Sequence, residues 1–230
     1  MSSGALASEA TRLLREHWPA DLDPITEDQT QKLGLYLELL NQWNKIHSLT
    51  AVLDLKTQIF RHLLDALIAW KALPQGLCGQ FDLRVADIGS GMGVPGVVWA
   101  VVMPQSRFDL IERQHKKAAF LTHVLGRLGL SDRVRVIAQD VRDVRAPEPY
   151  GLICSRAFAA LEDFLQLTWH LSGPQTVWAA MMGKASEIKN KKNSEQTLFM
   201  KDSVQLSQLL TLKVPATEAD RHLALLKRVC

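Results

Sequence analysis

Asp87-Ile88-Gly89-Ser90-Gly91-Met92-Gly93-Val94-Pro95-Gly96 is a glycine-rich turn set between two apolar runs. Residues 83–88 precede it, with one charge at Arg84, and residues 97–103 follow it. Strand, turn, helix is the natural reading. Glycine supplies positive φ where a turn is tight and lets a ligand approach the backbone closely. Asp87 adds a carboxylate at the carboxyl end of the strand, where open α/β sheets bind their ligands. Gly-rich turns also join strands to helices with no ligand. Four glycines within residues 89–96, preceded by an acid, favour a binding loop.

Upstream of the turn the pattern is helical. Residues 5–17 carry Leu6, Ala10, Leu13 and Leu14 on one side. Thr26-Glu27-Asp28-Gln29 has the form of a capping box, and Leu33, Tyr36, Leu37, Leu40 and Trp43 continue at helical spacing. A third helix is expected over residues 57–70, with Phe60, Leu63, Leu64, Leu67 and Ile68 on one face. Residues 1–74 therefore form a helical segment packed on a core domain of residues 75–230.

Downstream, strands and helices alternate. Strands are expected at 83–88, 107–112, 134–138, 150–155 and 176–182, and helices at 95–103, 115–128 and 161–171. Two late strands, 209–214 and 222–228, have no helix between them. The fold expected is α/β and Rossmann-like, with a mostly parallel sheet and an antiparallel edge strand.

Composition narrows the class. The chain has 230 residues, 47% hydrophobic and 22% charged, as in a globular protein. Its net charge of +3 permits nucleic-acid binding without arguing for it. Cys78, Cys154 and Cys230 are widely spaced and form no Cys-x-x-Cys pair, so neither a metal site nor a redox pair is expected. The longest apolar run, 97–103, falls far short of the ~20 residues that span a bilayer. Residues 1–18 lack the apolar core of a signal peptide. A cytoplasmic, monomeric protein is the expectation.

Gly91-Met92-Gly93-Val94-Pro95-Gly96 fits the G-x-G-x-x-G spacing, which serves several cofactors. Charge separates them. A pyrophosphate prefers bare amides at a helix N-terminus, and an acid beside it is unfavourable. A cationic sulfonium with a free amino group would instead favour Asp87. Glu112, at the end of the next strand, is placed to bind ribose hydroxyls. S-adenosylmethionine is therefore favoured over a dinucleotide, with Asp87, Gly89, Ser90, Gly91, Gly93 and Glu112 as the cofactor residues.

Four blocks in order resemble the ribosomal small-subunit methyltransferase G family, also called glucose-inhibited division protein B. They are Trp43-Asn44-Lys45-Ile46-His47-Ser48-Leu49-Thr50, Arg61-His62-Leu63-Leu64-Asp65, the Asp87 to Gly96 loop and Ser155-Arg156-Ala157-Phe158. Val214-Pro215 and Arg221-His222-Leu223 also fit. The resemblance implies a Rossmann-like methyltransferase that modifies guanine N7 in 16S ribosomal RNA, alone or in the small subunit. It implies that Gly89 and Val94 contact the cofactor, that Glu112 sits near its ribose, and that Val141 and Arg142 border its adenine. Arg156 would project toward cofactor and substrate, and Asn44, Arg61 and His62 would face the same cleft. Arg156 and, less strongly, Asn44 are the catalytic candidates. Arg61, His62, Arg113, Lys116, Lys117 and Lys184 are the RNA-binding ones.

The chain departs from the family pattern at Ser48, Ala66, Asp140-Val141-Arg142, Gly151 and Met182. Plainer roles stand beside the functional ones. Trp43 fits core packing, Asn44 a turn, His62 a core histidine, and the lysines a solvated face. A nicotinamide-dependent oxidoreductase, a non-catalytic ribosome-binding relic and a small-molecule methyltransferase are the competing readings.

Overall fold

The computed structural model describes residues 4–20, 22, 24–156, 160–183, 198–200, 203–215, 217 and 220–229. Helix α1 (Ala5–Glu16) packs on α2 (Glu27–His47). The capping box at Thr26 is present in full: its Oγ accepts from the Gln29 amide, and Gln29 Oε1 accepts from the Thr26 amide. The N-terminus of α1 is capped from a distance. Buried Glu38 accepts from the Gly4 and Ala7 amides at 3.0 Å, which places an anion on otherwise unsatisfied N–H groups.

The third helix is in place but not regular. It runs as α3 (Leu55–Gln58), a π-helical turn over Ile59–Leu64, and α4 (Asp65–Lys71). The π turn carries Arg61 and His62 and delivers Asp65. Such turns concentrate at functional sites. A short α5 (Gln75–Cys78) leads into the sheet.

Strands β1 (Arg84–Ile88), β2 (Arg107–Ile111), β3 (Val134–Ile137), β4 (Tyr150–Arg156) and β5 (Ser172–Met182) lie parallel in the order β3-β2-β1-β4-β5. Helices α6 (Gly96–Val102), α7 (His115–Leu128) and α8 (Leu161–Thr168) connect them. The carboxyl ends of β1, β2 and β4 thus meet where the strand order reverses.

The antiparallel edge is wider than the sequence suggested. β8 (His222–Arg228) pairs with β5, β7 (Val204–Thr211) pairs with β8, and a two-residue β6 (Leu198–Phe199) pairs with β7, all antiparallel. The first late strand lies upstream of its expected position at 209–214. A register shift between Leu206 and Gln208 breaks its alternation, and Ser207 Oγ donates to Leu225 O across it.

One core cluster joins the N-terminal helices to one face of the sheet. It includes Leu37, Leu40, Leu63 and Leu67 together with Val85, Val97, Trp99 and Leu121. Two buried hydrogen bonds reinforce the joint. Tyr36 Oη donates to Met92 O at 2.8 Å, and Trp99 Nε1 donates to Ala66 O at 2.7 Å. Among the described residues no helix is long and apolar enough to cross a membrane.

Candidate active site

The glycine turn is built as a cradle. The Gly89 and Ser90 amides both donate to Ile111 O, at 2.9 and 3.2 Å, and fold the turn over the end of β2. Gly89 has φ +66°, and a Cβ there would meet open space, so its backbone is bare toward the neighbouring cleft. Gly96 is needed for the opposite reason. A Cβ on it would lie 2.4 Å from Asp87 Oδ2 and 2.5 Å from Leu110.

Asp87 is buried beneath the turn. Its Oδ2 accepts from the Gly96 amide at the start of α6 at 3.1 Å, and Cys154 Sγ lies 3.8 Å from Oδ1. Burial raises its pKa to about 6, against the smaller opposing effects of hydrogen bonds and Arg156. Asp87 therefore holds the loop from below instead of lining a cleft with its carboxylate.

A cleft of about 450 Å³ opens beside Gly89, between the ends of β1 and β2 and the segment after β3. Glu112 is its anchor. Oε2 accepts from the Gly91 amide at 2.9 Å and Oε1 from the Gln114 amide at 2.8 Å. Each oxygen retains a second lone pair for a ligand hydroxyl. Val141 and Arg142 line the far side with Asp140. Asp140 and Arg142 pair bidentately at 2.9 and 2.8 Å, which holds the Asp140 carboxyl well below the usual range. The two opposite charges of this segment thus close on each other. Arg113 lines the cleft too, 3.8 Å from Asp140.

A second cleft, about 310 Å³, lies past the end of β4. Ser155 Oγ donates to Ile88 O at 2.9 Å, so Arg156 emerges one residue from the ridge shared with the glycine turn. Arg156 Nη1 donates to Arg61 O at 3.1 Å and stands 3.8 Å from Asp65 Oδ2. Arg221, just before β8, stands 3.5 Å from Asp65 Oδ1. Met181 and Met182 give the cleft an apolar side. Burial, and then Arg156, lowers the His62 pKa to about 4, so His62 is uncharged near neutrality. Its Nε2 lies 3.2 Å from Thr50 Oγ1.

Several expectations change. Asn44 is a turn residue: its Oδ1 accepts from the Thr50 amide at 2.8 Å and its Nδ2 donates to Thr50 O at 3.0 Å, which occupies both ends of the side chain. Ser90 turns its hydroxyl to Asp87 O, and Val94 packs its side chain in the core. Gly93 donates its amide to Ser90 O. These residues shape the loop without presenting side chains to either cleft. His62 offers RNA a neutral ring, not a charge. Lys116 and Lys117 lie in the first turn of α7, outside the lining of both clefts. Trp43 is half-buried, with ring contacts to Phe120, His47 and His123. Lys184, Ala157 and Phe158 lie outside the described residues. Asp65 and Arg221 were missed as site residues. Their only sequence signal was their place in the Arg-His-x-x-Asp and Arg-His-Leu blocks.

Solved structures share the fold: a SAM-dependent methyltransferase from Thiobacillus denitrificans in complex with S-adenosyl-L-homocysteine matches with TM-score 0.54 at 12% identity, over 83% of this chain and 98% of that one. MtNAS in complex with MTA and tNA matches with TM-score 0.55 at 13% identity, over 88% and 74%. Sequence relatives are far closer. The ribosomal RNA small subunit methyltransferase G of Nitrosospira multiformis is 36% identical over 204 residues, 89% of this chain and 91% of the relative. That of Dichelobacter nodosus is 32% identical over 219 residues, 95% and 96% of the two chains. The family model for rRNA small subunit methyltransferase G matches residues 29–224, and the chain belongs to that family.

Proposed function

We propose that the protein transfers a methyl group from S-adenosylmethionine to N7 of a guanine in small-subunit ribosomal RNA. The observation that carries this reading is the pair of clefts meeting at the ridge where Ser155 bonds to Ile88 O, with Arg156 next in the chain. The first cleft fits the cofactor. The bare Gly89 backbone, the Glu112 carboxylate and the apolar Ile88, Ile111 and Val141 side chains suit a nucleoside bearing a diol. The cofactor supplies an electrophilic methyl on a sulfonium. The second cleft holds the acceptor base.

Guanine N7 carries a lone pair and no proton, so no base has to deprotonate it. The chain's task is alignment, which can contribute roughly 7–11 kcal/mol. Met181 and Met182 flank a planar base. Arg156 donates to acceptors, either O6 or a phosphate. It stays off N7, because guanine becomes cationic as the methyl arrives.

Incubation with labelled S-adenosylmethionine and unmodified small-subunit RNA or particles is expected to yield 7-methylguanosine on nucleoside analysis. A different methylated nucleoside would correct the acceptor. Tight NAD binding without any response to S-adenosylmethionine would overturn the reading altogether.

Asp87 gives this reading a pH signature. Its folded pKa lies above the unfolded value, so the stability its protonated form supplies is complete below about pH 4 and lost as pH rises through about 6. Above that pH a buried carboxylate stands ionised, and a cationic cofactor offsets it. Cofactor affinity is therefore expected to fall severalfold as pH drops through 6, and Asp87→Asn is expected to flatten the profile. Calorimetric titrations from pH 5 to 8 measure it; a flat wild-type profile would deny Asp87 an electrostatic part.

A further inference from the structure

We propose that Arg221 is a second substrate-binding arginine, gripping a backbone phosphate of the target nucleotide, and that Asp65 is the positioning residue that aims Arg221 and Arg156 together. The proposal rests on the methyl-transfer reading above.

Three distant segments converge here: Asp65 opens α4, Arg156 ends β4, and Arg221 precedes β8. Asp65 is only 3% exposed. Its Oδ1 is buried without a hydrogen-bond partner among the described residues. Both ion pairs are long, at 3.8 and 3.5 Å. A purely structural network would be expected to close with charge-assisted hydrogen bonds near 2.7–2.9 Å. This one stays open.

The charge count points the same way. Three arginines, Arg61, Arg156 and Arg221, line the cleft against the one carboxylate of Asp65, and His62 adds no charge near neutrality. Each guanidinium has five N–H donors. Among the described residues, Arg156 has one hydrogen bond, to Arg61 O, and Arg221 one, to Asp220 O at 3.0 Å. Donors remain on both, in a cleft with a cationic excess and an apolar side. That composition suits a nucleotide, with its base against the methionines and its phosphate on an arginine fork.

The sheet order separates the two arginines. β4 neighbours β1 and the glycine turn, whereas β8 lies two strands beyond β4. At roughly 4.8 Å per strand the two backbones stand about 10 Å apart, while both guanidinium groups converge on Asp65, at 3.8 and 3.5 Å. The reacting base lies beside Arg156, and the backbone leading from it reaches Arg221.

The test compares wild type, Arg221→Ala, Arg221→Lys and Asp65→Asn on unmodified small-subunit particles. RNA affinity is measured across a salt series, alongside kcat and KM. Arg221→Ala is expected to raise Kd and KM about tenfold, with kcat nearly unchanged. The slope of log affinity against log salt should fall by about one. Arg221→Lys is expected to restore the slope but only part of the affinity. Asp65→Asn should raise KM and also lower kcat, because it loosens Arg156 as well. Unchanged cofactor affinity in each variant certifies the fold. An unchanged slope and KM in Arg221→Ala would overturn the proposal, as would relaxed base preference at constant slope. If wild type binds RNA with the expected slope difference but transfers no methyl, the phosphate grip stands and the reaction reading falls.

Discussion

Replacing Arg156 with alanine is expected to slow methyl transfer about 10²- to 10³-fold at saturating RNA and cofactor, while S-adenosylmethionine affinity stays within a few-fold of wild type. The size follows from removing one preorganised donor in a partly dry site, about 2.7–4 kcal/mol. The asymmetry follows from position. Arg156 lines the second cleft and not the first, and its guanidinium is held by Arg61 O and faces Asp65. Arg156→Lys keeps the charge but loses the planar fork, so it is expected to recover only part of the rate. Single-turnover rates decide the matter. Equal rates in wild type and Arg156→Ala would remove Arg156 from the chemistry.

Glu112→Gln is expected to produce the opposite pattern. The carboxylate accepts two amides with two oxygens, Gly91 on one and Gln114 on the other. Glutamine keeps one acceptor and turns an NH₂ toward the other N–H, donor against donor. The ligand diol also loses a charged acceptor, a hydrogen bond of about 1.5–3 kcal/mol, so cofactor affinity should weaken on the order of 10- to 100-fold. The rate at saturating cofactor should stay near wild type, because the second cleft is untouched. Calorimetry with S-adenosylmethionine checks it, and unchanged affinity would mean Glu112 only shapes the loop.

Local features were legible in the sequence because their causes are local. The Thr26–Gln29 capping box, the apolar stripe of α7 and the glycine turn each announce themselves within a few residues. The π turn at Ile59–Leu64 does not, since the side-chain pattern of residues 57–70 fits an uninterrupted α-helix equally well. The strand at Val204–Thr211 was misplaced because a bulge interrupts its alternation. Asp65 and Arg221 meet only through the tertiary fold, 3.5 Å apart in space and far apart in the chain. Asn44 shows the converse. A polar residue in a suggestive block proved to be tied at both ends of its amide to the backbone of Thr50. Asp87 was legible as a site acid but not in its direction, because sequence does not say whether a strand-end carboxylate faces up to a ligand or down to a helix.

Tyr36 and Trp99 bear on how the two substrates communicate. One ties the glycine turn to α2 through Met92 O, and the other ties α6 to α4 through Ala66 O. Ala66 follows Asp65 directly, so the cofactor loop and the arginine cleft share a rigid strut of buried bonds. Strain that RNA placed on the π turn would have this strut as its route to the glycine loop, and cofactor strain would return the same way. Thermodynamic linkage makes such an effect reciprocal: the factor by which RNA alters cofactor affinity is the factor by which cofactor alters RNA affinity. On that linkage the helical segment would be the part through which each ligand registers the other.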